Sequence, residues 1–113
     1  IEDEARMDAV TATSGSGPAY VFLLAEAMEA AACAEGLPAD AARTLVMETI
    51  LGAARMLTES GEPPETLRRR VTSPGGTTQA AVETFEAGGF HVLVALAVRN
   101  ATERGRQLSA AHD

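Results

Sequence analysis

The sequence predicts an all-α protein, and three observations carry that prediction. Glycines and prolines cut the chain into stretches of helical length, alanine is abundant throughout, and no segment alternates apolar with polar residues between hairpin turns. At 113 residues the chain makes a single domain, 1–113. A domain of that size buries roughly 60–70% of its unfolded surface, which supports one core and not two.

The first predicted helix opens in "GSGPAYVFLLAEAMEAAACAEGLP". Pro18 falls in its first turn, where a missing N–H and a fixed φ cost little, and Ser16 or Gly17 is the candidate N-cap. It should stop at Glu35, because Gly36 suits a left-handed C′ position and Pro38 follows. A second helix spans about 39–59 and ends before Gly61. Pro63 and Pro64 open a short third helix through "ETLRRRV". The segment "VTSPGGTTQAA" (71–81) supplies the next connection, and "TTQAAVETFEA" forms a fourth helix ended by Gly88 and Gly89. A fifth runs from about Phe90 to Leu108.

The first helix is apolar nearly all the way round. From Ala19 to Ala34 its polar side chains are Glu26, Glu29 and the Tyr20 hydroxyl. A surface helix of a small domain should carry an apolar stripe, not an apolar circumference. The second helix reads similarly through "TLVMETILGAARML", and the fifth through "FHVLVALAV". One small core cannot cover three such helices, so the sequence predicts a homodimer with a two-fold interface. The plainer alternative is that alanine-rich helices merely look apolar.

Composition narrows the function. Hydrophobic content of 46% with 22% charged residues is that of a globular chain. The formal net charge of −7 argues against a nucleic-acid or anionic-membrane partner. The run Arg68-Arg69-Arg70 reads as a solvated helix face before it reads as a phosphate patch. Cys33, the single cysteine, excludes an internal disulfide, fits a reducing cytoplasm and is expected to pack in the core. No basic stretch followed by an apolar one opens the chain, and no apolar run approaches the roughly 20 residues of a membrane span. These features predict a soluble, cytoplasmic protein with no membrane partner. The chain begins without methionine, which suggests a piece of a longer polypeptide.

Several motifs fail on inspection. "TATSGSGPAY" invites a dinucleotide-binding reading, but Pro18 and Tyr20 stand where close packing needs small residues, and the third glycine is missing. The segment before Gly15 is too short and polar for a central strand. No G-x-S-x-G nucleophile elbow surrounds Ser16. His91 and His112 are far apart, Cys33 has no second soft ligand nearby, and the acidic residues are scattered, so no metal site is expected. His91, near a helix start, reads as a surface or interface side chain.

The connection at 71–81 survives. Gly75 and Gly76 permit backbone conformations that turn successive N–H groups one way. A helix start near Thr77 adds unpaired N–H groups and the positive end of a dipole. Ser73, Thr77 and Thr78 add hydroxyls. The chemistry fits a small anion pocket for a carboxylate or phosphate. It also fits a helix cap on a tight turn, although that needs fewer glycines and hydroxyls.

At these residues the sequence resembles the C-terminal domain of the pyrroline-5-carboxylate reductase family. The blocks "DAVTATSGSGPAY" (8–20) and "VTSPGGTTQAAVETFEAGGF" (71–90) carry the match, supported by "EGLP", "LGAARMLTESGEPPETL" and "ATERGRQL". The likeness covers nearly the whole chain in order, and the second block is a specific signature. Thr13 departs from a usually apolar position and Arg69 from a commonly acidic one. The resemblance implies an interleaved helical dimerisation and substrate domain, as in 6-phosphogluconate-dehydrogenase-like reductases. It implies an N-terminal Rossmann domain, absent here, that binds NADPH or NADH. The implied reaction reduces 1-pyrroline-5-carboxylate to L-proline, and in the family dimers often assemble further into rings such as decamers.

The resemblance also implies roles for residues. Backbone groups around Ser73, Gly75, Gly76 and Thr77, with the Ser73 hydroxyl, hold the substrate carboxylate. Thr78 hydrogen-bonds the ring nitrogen. Thr11, Ser14, Ser16 and Gly17 face the cofactor side. Two other readings stand beside this one: a pure assembly module whose glycine loops only cap helices, and a related two-domain reductase acting on another small carboxylate.

Overall fold

The computed structural model describes residues 2–112. Six α-helices and one π-helical turn follow one another there: α1 (Glu2–Val10), the π-turn (Thr11–Gly15), α2 (Gly17–Ala34), α3 (Ala39–Glu59), α4 (Pro64–Arg70), α5 (Thr77–Ala87) and α6 (Phe90–His112). No strand occurs among the described residues. The all-α reading is correct, with α2 to α6 at the five expected places.

Punctuation works as the sequence predicts. At the end of α2, Gly36 takes φ +106°. Its N–H donates to the Cys33 carbonyl at 3.0 Å, and the Leu37 N–H donates to the Ala32 carbonyl at 3.1 Å. That bond pair is a Schellman motif, and only glycine enters its left-handed position cheaply. Pro38 and Pro63, both extended, then precede α3 and α4. Pro64 occupies the first turn of α4, where no N–H is needed.

Contacts divide the chain into two compact units. The first comprises the residues up to 21 and those from 84 onward. In it, α1 and the π-turn pack on α6. Gly105 is the point of close approach: a Cβ there would lie 3.3 Å from Asp8 Oδ1. Ala12 is buried, 1% exposed. Phe85 and Phe90 meet edge-on at 5.4 Å around the Gly88-Gly89 break. The second unit is Phe22–Glu83. Its α4 packs on α3, with Ala42, Val46 and Leu67 buried.

Two expectations change. Residues 2–10 form a helix that the sequence reading did not assign. Cys33, expected in the core, is exposed, because the chain itself does not cover this face of α2. Phe22 and Leu23 on the same helix are each 66% exposed, and Leu45, Met47 and Leu51 on α3 and Val92 and Leu93 on α6 are exposed as well. Among the described residues no single helix is long and apolar enough to cross a membrane.

Candidate functional site

The loop before α5 is built around one tight turn. The Gly76 N–H donates to the Ser73 carbonyl at 3.0 Å. Pro74 takes the second position of that turn and Gly75, at φ +72°, the third, which is the pattern of a type II turn. Gly76 is required by space: a Cβ there would sit 3.2 Å from the Ser73 carbonyl oxygen, a backbone atom fixed by the turn. The Gly75 N–H donates to the side-chain oxygen of Gln79.

Helix α5 follows at once. The Ala80 N–H donates to the Gly76 carbonyl at 3.2 Å, closing the first helical bond. The N–H groups of Thr77, Thr78 and Gln79 precede that bond and have no helical acceptor. No acidic side chain stands in the first turn to neutralise the positive end of the dipole. Ser73 and Thr77 are exposed and Thr78 is half-buried. Ser73, Gly75, Gly76, Thr77 and Thr78 therefore sit together on one turn–helix junction. The two glycine N–H groups already have internal acceptors, so the donors left open are those of the helix's first turn and the hydroxyls.

The residues Thr11, Ser14, Ser16 and Gly17 also share one segment, in the first unit. The Ser16 N–H donates to the Thr11 carbonyl at 2.8 Å, the five-residue spacing of a π-turn. Ser16 is right-handed helical, at φ −83° and ψ −22°, and not the extended backbone of an ordinary N-cap. Its capping role is thus replaced by a continuous path from π-turn to α2. Ser14 Oγ donates to the Val10 carbonyl at 3.0 Å, and Thr11 is exposed. Beyond its two chain neighbours, a Cβ on Gly17 would meet nothing within 4 Å. The Tyr20 hydroxyl donates to the Ala12 carbonyl at 2.5 Å, a contact the sequence reading did not foresee. Since helix and π-turn precede Gly15, the strand required by a dinucleotide-binding motif is missing here.

The remaining candidates behave as surface groups. His91 is exposed, with Nδ1 2.8 Å from Glu86 Oε1. Arg68, Arg69 and Arg70 are exposed, and Arg70 pairs with Glu62 at 3.2 Å. On α6, hydrogen bonds from Arg106 hold the exposed Glu103 carboxyl below its usual range. Among the described residues no group of three or more His, Cys, Asp or Glu side chains is placed to hold a metal ion.

Comparison with known proteins bears on this arrangement. Residues 4–108 match the family described as pyrroline-5-carboxylate reductase dimerisation. The chain is 51% identical over 109 residues to a pyrroline-5-carboxylate reductase of Pseudomonas aeruginosa, covering 96% of this chain and 40% of that protein. The structure of a pyrroline-5-carboxylate reductase from Coxiella burnetii superposes with TM-score 0.89 at 42% identity, over 92% of this chain and 38% of that one. A pyrroline carboxylate reductase of Plasmodium falciparum, solved with NADP bound, gives TM-score 0.87 at 36% identity, over 91% of this chain and 39% of that one. The chain thus spans about two fifths of the length of the relatives it matches. A helical domain with a type II turn feeding the α5 N-terminus, matched along nearly its full length, belongs to the pyrroline-5-carboxylate reductase dimerisation family.

Proposed function

We propose that this chain is the dimerisation and substrate-binding domain of a two-domain enzyme that reduces 1-pyrroline-5-carboxylate to L-proline. The observation that carries the reading is the Ser73–Thr78 junction, where hydroxyls and open helix N–H groups converge on one turn. The substrate is a five-membered cyclic imine bearing a carboxylate. The Ser73 hydroxyl and the backbone of Gly75, Gly76 and Thr77 bind that carboxylate. For the Gly75 N–H this requires the Gln79 side chain to yield its hydrogen bond, and for the Gly76 N–H it requires sharing the bond it gives to the Ser73 carbonyl.

Thr78 hydrogen-bonds the ring nitrogen. A threonine hydroxyl is too weak an acid to supply the proton near neutrality, so its role is to orient and polarise the imine. A nicotinamide cofactor, NADPH or NADH, would supply hydride to the imine carbon when bound, with the nitrogen's proton arriving on the protonated imine or through water. The cofactor is held mainly by an N-terminal domain outside this chain. Thr11, Ser14, Ser16 and Gly17 face it, with no dinucleotide motif of their own. The exposed apolar faces of α2, α3 and α6 fit burial in a homodimer. Rings such as decamers and a cytoplasmic location complete the proposal.

The test is NADPH oxidation by the full-length protein supplied with 1-pyrroline-5-carboxylate, with the 113-residue chain as the blank. Turnover in the former and none in the latter is expected. A folded, dimeric full-length protein without turnover overturns the substrate assignment.

A further inference from the structure

The π-turn leaves one backbone group that its own ladder does not satisfy. In an α-helix the Ser16 N–H would donate to the Ala12 carbonyl; here it reaches one residue further back, to Thr11. Ala12 is almost completely buried, and a buried carbonyl needs a donor. The Tyr20 hydroxyl supplies it, at 2.5 Å, from the first turns of α2. With that hydroxyl in place the Ala12 carbonyl does not depend on Ser16, and the wide turn persists.

We propose that Tyr20 is a positioning residue. Its hydroxyl holds Thr11–Gly15 in the π register and thereby sets Thr11, Ser14 and Ser16 against the nicotinamide cofactor. The inference rests on the proposed cofactor-facing role of that segment. Reversion to α geometry removes one residue from the wide turn and rotates the flanking residues by about 100° about the helix axis. The chain would remain helical, but the hydroxyls of this segment would leave the positions that the cofactor meets. Single π-turns inside helices are frequently found at functional sites, where this displacement is useful.

The test is Tyr20→Phe in the full-length protein, which keeps the ring and removes the hydroxyl. Steady-state kinetics are measured separately for NADPH and the imine, together with Tm and amide hydrogen exchange at Ser16. The nucleotide KM is expected to rise about fivefold or more, the scale of one lost hydrogen bond. The KM for the imine and the Tm are expected to stay close to wild type, with Ser16 exchange altered. Unchanged nucleotide KM, or a loss of activity that merely follows a fall in Tm, overturns the positioning role. An unaltered Ser16 amide overturns the register claim whatever the kinetics. Thr11→Val and Ser14→Ala are run alongside; if both keep the wild-type nucleotide KM, it is the cofactor-facing reading that fails.

Discussion

Thr78 and the glycines around it separate chemistry from folding, because each is constrained in a different way. Thr78 is half-buried at the start of α5, and its N–H precedes the first helical bond. Thr78→Ala keeps the backbone and removes one hydroxyl. It is expected to lower kcat/KM of the full-length enzyme roughly ten- to a hundredfold with little change in Tm, whereas Thr78→Ser retains most activity. Wild-type turnover in Thr78→Ala would remove the polarising role. Gly75→Ala acts on the backbone instead: at φ +72° an added Cβ is expected to cost on the order of 1–2 kcal/mol, read as a fall in denaturant midpoint. Gly17 is a different case, with no positive φ and no atom beyond its chain neighbours within 4 Å of its Cβ position. In Gly17→Ala the lost glycine entropy works against crowding of the new Cβ by the Pro18 ring, so stability is expected to change by less than about 1 kcal/mol. If Gly17 meets the cofactor closely, the same variant raises the nucleotide KM; a folded variant with unchanged nucleotide KM takes Gly17 out of the site.

At the scale of elements, α2 shows most clearly what a sequence discloses and what it leaves open. Its limits were legible, since Pro18 and Gly36 act through local sterics that any neighbourhood would respect. Its apolar circumference was legible too, and Phe22 and Leu23 are indeed uncovered by the chain itself. The position of Cys33 was not, because helical periodicity does not say which surfaces a single chain covers. The helix α1 is not legible in the sequence, because "EDEARMDAV" is polar and has no apolar stripe; its packing on α6 depends on Gly105, about a hundred residues away in sequence. The π-turn was invisible for a related reason, since its stabilising donor is the Tyr20 side chain beyond the turn. The Ser73–Thr78 loop was readable from its glycines and hydroxyls, but the Gln79 acceptor on Gly75 was not. The exposed face of α2 yields an element-scale prediction. Phe22→Glu places a charge where the proposed interface buries an aromatic ring, and it is expected to shift the isolated domain from dimer to monomer in sedimentation velocity. An unchanged dimer would exclude this face of α2 from the interface.

For the whole molecule the decisive quantity is how little the chain buries alone. Among the described residues the buried hydrophobic ones are Ala12, Ala42, Val46 and Leu67, two of them alanines, while large apolar side chains on α2, α3 and α6 remain exposed. Such a core offsets only a small part of the conformational entropy of ordering a domain of this length. The missing stabilisation must come from surface covered on association, so folding and dimerisation should be a single equilibrium. In that case stability depends on protein concentration, with each tenfold dilution removing about 1.4 kcal/mol per dimer. For two chains of this size that lowers Tm by roughly 3–6 °C per tenfold dilution. Thermal unfolding of the isolated domain across three decades of concentration measures this directly. A Tm independent of concentration, together with a monomer in sedimentation, would show that so small a core suffices and that the exposed helices serve another purpose. The expected slope would instead make the second chain part of the fold, and place the Ser73–Thr78 junction on a scaffold that exists only as a dimer.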